Sequence, residues 1–230
     1  MAEQAGSVVL LSGGMDSLVT AAIAVRESDA SFLHVSYGQR TERRERAAFD
    51  AIADHYGVKR RLALSIESLR AVGGSSLTDP SMPVRTGGVD RSRVPDTYVP
   101  FRNAHLAAIA VSWAEGIGAS RIYIGAVEQD SSGYPDCTRA FFDAFEKAAR
   151  LGAARAGELR ILTPLIHLSK AEIVRLGLRM DAPFHLSWSC YVEEERACGL
   201  CDSCRLRLEA FRGCGVADPI PYAGTPPPTP

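Results

Sequence analysis

Val8-Val9-Leu10-Leu11-Ser12-Gly13-Gly14-Met15-Asp16-Ser17 is the stretch that decides the fold. Its apolar run, unbroken by alternation, is the pattern of a parallel strand buried on both faces. The run enters a Ser-Gly-Gly turn, and Asp16 then opens a helical pattern from Leu18 to Val25. Two consecutive glycines let backbone N–H groups approach a ligand with no side chain in the way. The helix N-terminus beyond them adds partial positive charge, so strand, turn and helix together predict an anion site. A Walker A loop would place Gly-Lys-Ser/Thr here. No lysine follows Gly14, which disfavours plain γ-phosphoryl transfer.

Outward from this loop the chain alternates strands and helices. Residues 31–37 read as a second strand, with His34 inside it a core residue, and 41–56 as a helix with one apolar face ended by Gly57. Residues 58–66 read as a third strand, 104–116 as a helix, 121–125 as a fourth strand, 138–154 as an amphipathic helix and 158–162 as a short strand. Such alternation predicts an α/β fold: a Rossmann-like parallel sheet with helices on its faces. Right-handed crossovers place the loop after Leu11 and the loop after Gly125 on one carboxyl edge, where doubly wound folds bind ligands. Residues 71–95, rich in glycine, serine and proline, break every period and predict a long lid-like loop.

The chain has 230 residues, 46% of them hydrophobic, enough to bury a full core. With 26 basic against 27 acidic side chains it lacks the basic footprint of a general nucleic-acid binder. No basic leader with an apolar core is visible at its start, and no stretch approaches the roughly 20 apolar residues of a membrane span. These features predict a cytoplasmic protein with no membrane partner.

Four of the six cysteines, Cys190, Cys198, Cys201 and Cys204, follow the spacing C-x7-C-x2-C-x2-C. That is the ligand pattern of a structural zinc site whose four thiolates leave no coordination position open; the alternative, a redox pair of Cys201 and Cys204, leaves Cys190 and Cys198 to be explained separately. Cys137 and Cys214 are left over as ordinary thiols. The resulting organisation is an α/β domain carrying the anion-binding loop over 1–186, a zinc segment over 187–214 and a proline-rich tail over 215–230. Ser169 to Glu172 has capping-box spacing, so a helix starts there with Lys170 in its first turn. A cation at that place opposes the helix dipole. It is explained by a bound polyphosphate, or it is a surface lysine. Residues 128–137 form a polar loop that reads either as a turn-rich connection or as a pocket for a flat polar heterocycle. In the second case the ring stacks on Tyr134 and hydrogen-bonds Asp136 or Asp130.

The loop Ser12 to Ser17 resembles the PP-loop of N-type ATP pyrophosphatases, which activate a substrate oxygen as an adenylate. With Tyr98-Val99-Pro100-x-Arg102-Asn103, Ser132-Gly133-Tyr134-Pro135-Asp136-Cys137, Ser169-Lys170-Ala171-Glu172-Ile173 and Trp188-Ser189-Cys190 through Cys204, the chain resembles the 7-cyano-7-deazaguanine synthase family almost throughout. The resemblance implies ATP-dependent conversion of 7-carboxy-7-deazaguanine and free ammonium to the nitrile, through adenylate and amide intermediates, by a homodimer. It implies ATP contacts at Leu11, Ser12, Gly13, Gly14, Met15, Asp16, Ser17, Leu18, Arg102 and Asn103. It further implies catalytic roles for Asp16, Ser17 and Lys170, and substrate contacts at Asp130, Gly133, Tyr134 and Asp136. Mg²⁺ is expected on the phosphates near Asp16 or Asp130. Two departures stand out: Phe101 is large where a small residue is expected, and Thr138 separates Cys137 from an expected arginine, leaving Arg139 next in line.

Three other readings compete. A tRNA-thiolating PP-loop enzyme would use Cys201 and Cys204 as sulfur carriers, but it calls for a basic RNA-binding surface. A non-catalytic zinc ribbon leaves the PP-loop unexplained. An enzyme of the same chemistry with a protein acceptor is compatible with the same motifs.

Overall fold

Strands β1 (Gly6–Leu10), β2 (Asp29–Ser36), β3 (Arg61–Ser65), β4 (Arg121–Ile124) and β5 (Arg160–Leu162) form one parallel sheet in the order β3-β2-β1-β4-β5. The computed structural model describes residues 5–86, 93–128, 133–154 and 159–224. Register is fixed at the centre, where Val9 lies between Phe32 of β2 and Tyr123 of β4. Side chains of a strand alternate between faces, and here both faces are covered. Val9, Phe32 and Tyr123 pack with helices α1 (Met15–Glu27), α2 (Glu42–His55), α6 (Lys170–Arg179) and α7 (Asp202–Gly213). Val8, Leu33 and Ile122 pack on the other face with α4 (Arg102–Ile117) and α5 (Arg139–Gly152). That two-sided burial is why β1 reads as a continuous apolar run.

The strand order reverses between β1 and β4, so a crevice opens there above the carboxyl edge. The chain leaving β1 turns through Ser12-Gly13-Gly14 into α1, and the chain leaving β4 passes Gly125. A Cβ on Gly125 would lie 3.0 Å from the backbone of Asp16 and Ser17. Glycine is thus what lets the first turn of α1 sit directly over the exit of β4.

The segment predicted as one long loop is more structured than its composition suggests. A short helix, α3 (Glu67–Val72), precedes it, and Ser75, Ser76, Leu77 and Thr78 are buried. Arg40 supplies the donors that hold this part down. Its Nε reaches the Ser76 carbonyl at 2.7 Å, and Nη2 reaches those of Asp79 and Met82 at 2.9 and 2.6 Å. Residues 87–92 of the predicted lid lie outside the described residues.

The segment carrying the four clustered cysteines docks on the N-terminal end of α2. Thr41 Oγ1 donates to the Cys190 carbonyl at 3.2 Å, Arg43 pairs with Glu194 at 2.6 Å, and the Arg44 guanidinium stacks 4.6 Å from the Trp188 ring centre. Residues 215–223 wrap back over it. Arg207 and Asp218 form a bidentate ion pair, Nε to Oδ2 at 2.7 Å and Nη2 to Oδ1 at 2.9 Å, with side chains 1% and 2% exposed. The Ala197 N–H donates to the Pro221 carbonyl at 2.8 Å, and the Tyr222 hydroxyl donates to Asp218 at 2.7 Å.

Candidate functional site

A cavity of about 280 Å³ occupies the crevice at the switch point. Its floor is the loop after β1: Leu11, Ser12, Gly14, Met15, Asp16 and Ser17 line it, while Gly13 and Leu18 stand behind. The loop is braced internally. Ser17 Oγ donates to the Gly14 carbonyl at 2.9 Å, the Gly14 N–H donates to Ser12 Oγ at 3.2 Å, and the two hydroxyls meet at 3.1 Å. Gly13 takes φ +91° and passes so close to α2 that a Cβ would fall 2.6 Å from the Glu45 carbonyl oxygen. No side chain fits there, which accounts for the glycine.

Lys170, the first residue of α6, reaches across the cavity to Asp16, Nζ to Oδ2 at 2.5 Å. The Ser169–Glu172 capping box that orients it is formed as the spacing predicts. Asp16 Oδ1 is buried with no partner, so one carboxylate oxygen is left for a cation. At the head of α4, Arg102 donates from Nη1 to the Tyr37 hydroxyl at 2.9 Å, with its guanidinium 5.4 and 5.7 Å from the Tyr37 and Tyr134 ring centres. Its Nε is buried without a partner. A fork held between two rings and short of one acceptor suits an incoming anionic or carbonyl oxygen.

Of the polar loop residues, Tyr134 lines the cavity and donates its hydroxyl to Thr97 Oγ1 at 2.9 Å. Asp136 does not reach the cavity wall. Its carboxylate takes the Asn103 N–H at 2.9 Å and Asn103 Nδ2 at 3.2 Å, so it fixes the start of α4 instead. Gly133 lies off the wall with φ +82°, and Asp130 falls outside the described residues. Cys137 lines the cavity, where burial pushes its thiol up to about 11.

The two sequence departures find local explanations. Thr138 is the N-cap of α5, its Oγ1 accepting the Phe141 N–H at 3.1 Å. Arg139 turns to Asp143 and to Thr163 Oγ1, the latter at 2.9 Å, and is not on the cavity wall. Phe101 is the N-cap of α4 at φ +56°, half its side chain exposed against Phe141 and His105. A left-handed backbone there favours glycine over any larger residue.

Sequence reasoning missed one wall altogether. Tyr37, Gln39, Thr41 and Glu45, between the end of β2 and the first turn of α2, all line the cavity. The same carboxyl-edge rule that selected the loops after β1 and β4 applies to the loop after β2. A charged first turn such as that of α2 carries no local sign that tertiary packing will cover it.

The four predicted cysteines converge, their Sγ atoms all within 4.8 Å of one another. Cys198 and Cys204 sulfurs lie 3.9 Å apart, close to the roughly 3.8 Å spacing of a tetrahedral zinc site with 2.3 Å bonds. Backbone N–H groups of Val192, Glu193 and Cys198 point at Cys190 Sγ, and those of Leu200 and Cys201 at Cys198 Sγ, at 3.3–3.4 Å. Hydrogen bonds from Cys201, Cys204 and the Cys198 and Glu193 amides hold the Cys190 thiol far below its ordinary range, while the thiols of Cys201 and Cys204, donating to it, are pushed up. Donors aimed at sulfur favour thiolates, so the residues present fit a divalent metal.

The sequence model for queuosine biosynthesis protein QueC matches residues 6–215. A 7-cyano-7-deazaguanine synthase of Koribacter versatilis is 58% identical over 221 residues, covering 94% of this chain and 93% of its own. One of Chlorobium phaeobacteroides is 55% identical, covering 96% and 98%. Among solved structures, a 4-thiouridine synthetase–RNA complex with bound ATP shares the fold at a TM-score of 0.52 and 17% identity. It covers 91% of this chain and 50% of that one.

Proposed function

Because the chain belongs to the QueC family of queuosine biosynthesis proteins, we propose that it makes 7-cyano-7-deazaguanine from 7-carboxy-7-deazaguanine, ammonia and ATP. The observation that carries this reading is the glycine loop with Lys170 brought onto Asp16 beside a cavity walled by Arg102 and three tyrosines, Tyr37, Tyr134 and Tyr191. A carboxylate is a poor electrophile because oxide would have to leave. Adenylation gives its oxygen a good leaving group, and ammonia then forms the amide. Dehydrating the amide to the nitrile requires its remaining oxygen to be activated in turn, so one pocket performs the same activation twice.

The protein's part is positioning and charge stabilisation, with no side-chain nucleophile. The N–H groups at the start of α1 and the Ser12 and Ser17 hydroxyls receive the pyrophosphate end of ATP. Lys170 neutralises charge developing between the phosphates, and Arg102 orients the acid. Asp16 would hold Mg²⁺ through its unpartnered oxygen; that ion screens phosphate charge. Cys190, Cys198, Cys201 and Cys204 would hold zinc, which cross-links the segment that docks on the loop. The reading also carries a homodimer and a cytoplasmic location. Among the described residues no helix is long and apolar enough to cross a membrane, and light scattering checks the dimer.

The test is incubation with Mg-ATP, ammonium and the acid, with products followed by mass. The nitrile should appear after an amide, and the amide with ATP but no ammonium should still give nitrile. Amide as the final product would leave only the first activation standing. No consumption of the acid would overturn the substrate assignment.

A further inference from the structure

Glu45 is an acid in an unusual place. It sits in the first turn of α2 with its side chain on the cavity wall, packed among Gln39, Thr41, Tyr37 and Arg102. Gln39 Nε2 donates to Oε2 at 2.9 Å and Thr41 Oγ1 donates to Oε1 at 3.0 Å. Each carboxylate oxygen accepts two hydrogen bonds when saturated, so each keeps one lone pair. The two side chains that hold it are themselves placed by neighbours: Gln39 Oε1 accepts the Tyr37 N–H at 2.8 Å, and the single Thr41 hydroxyl proton is shared between Glu45 Oε1 and the Cys190 carbonyl. The carboxylate plane is therefore pinned from both ends. Burial pushes the pKa of this carboxyl above the usual glutamate value, because the pocket as it stands under-solvates the charge.

We infer that Glu45 is the specificity residue for the base, accepting two parallel N–H donors from the N1–H and 2-amino edge of a guanine-type heterocycle. This rests on the deazaguanine reading of the same cavity and deepens it. Two adjacent donors on a flat ring match two syn-facing carboxylate oxygens, and charge-assisted bonds of this kind are the stronger class. An adenine ring cannot substitute, because its corresponding edge presents a ring-nitrogen acceptor beside the amino group. The Tyr37 and Tyr134 rings flanking Arg102 give the apolar surroundings in which such a pair discriminates strongly. The same carboxylate then excludes ATP's own base from the acceptor's position, which keeps the two substrates of one cavity in their places.

The experiment compares binding, by calorimetry without ammonium, of 7-carboxy-7-deazaguanine and its analogue lacking the 2-amino group. Wild type, Glu45→Gln and Glu45→Asp are used, each checked for zinc content and melting temperature. Wild type should prefer the amino compound by about a hundredfold, as a site that leaves a buried acceptor unpaired rejects the analogue. Glu45→Gln presents an amide donor toward one N–H, so it should bind the acid about tenfold to a hundredfold more weakly and lose the preference. Glu45→Asp should lose affinity while keeping part of the preference, and ATP affinity should change less than about twofold in both. An unchanged preference in Glu45→Gln overturns the inference, as does a parallel loss of ATP affinity, which would put the carboxylate on the ribose. Turnover of wild type is scored separately. Binding with the expected preference but no turnover sinks the proposed reaction alone; binding of neither compound sinks both.

Discussion

The backbone N–H of Trp188 donates to the carbonyl of Gly13 at 2.8 Å. One hydrogen bond thus joins the four-cysteine segment to the glycine loop proposed to receive the phosphates. Metal loss should be felt there. Cys198→Ser or Cys201→Ser is expected to lower zinc content, melting temperature and soluble yield together, because a closed thiolate site contributes directly to folding. In whatever apoprotein remains folded, the KM for ATP should rise. An apoprotein with unaltered ATP affinity would show that the bond to Gly13 is incidental.

Lys170→Ala removes a cation aimed at the phosphates and leaves Asp16 without its partner. Loss of one preorganised charge of this kind costs about 10²–10³-fold in kcat, and that range is expected here. Asp16→Ala should abolish adenylate formation with little change in fold. Wild-type kinetics in Lys170→Ala would return this residue to the surface-lysine reading.

Thr138 and Arg139 should separate cleanly. Thr138→Ala removes the cap of α5 and should reduce stability by about 1 kcal/mol, with Thr138→Ser close to wild type. Arg139→Ala should leave turnover within about twofold, since single surface substitutions away from a site have small effects. Urea denaturation and steady-state assays measure the two effects. A large loss of turnover in Arg139→Ala would bring that side chain into the cavity after all.

At Phe101 the sign of the backbone effect is opposite to the usual one. Phe101→Gly should be more stable than Phe101→Ala by about 1 kcal/mol, because alanine keeps the Cβ that the left-handed backbone penalises. Equal denaturation midpoints would mean that φ relaxes in the variants.

Arg40→Ala removes three side-chain donors from the carbonyls of Ser76, Asp79 and Met82. Limited proteolysis within 76–86 should then be faster, with the sheet intact by circular dichroism. An unchanged cleavage rate would indicate that burial of Leu77 alone holds the loop.

What was legible in the sequence follows from what local chemistry can encode. The β1 run, the glycine turn, the Ser169 capping box and the cysteine spacing each state a local geometry, and all four appear as read. The wall from Tyr37 to Glu45 was not legible, because a glutamate among arginines on a helix looks solvated until tertiary packing covers it. Asp136 shows the converse. Its polarity suggested a ligand, yet it satisfies the head of α4, a role set by a neighbour 33 residues away. The fastening of residues 75–82 by Arg40 was hidden for the same reason.

The clamp between Arg207 and Asp218 has a consequence for how the protein is made. Arg207 stands on the cavity wall, and the ion pair beside the Ala197–Pro221 contact closes the segment that holds Gly13. The glycine loop precedes Asp218 in chain order by the rest of the parallel sheet. At roughly 5–20 residues per second, about ten to forty seconds separate the two on the ribosome. A nascent chain short of residue 218 therefore lacks this clamp, and the support of Gly13 through Trp188 is complete only once Asp218 has reached Arg207.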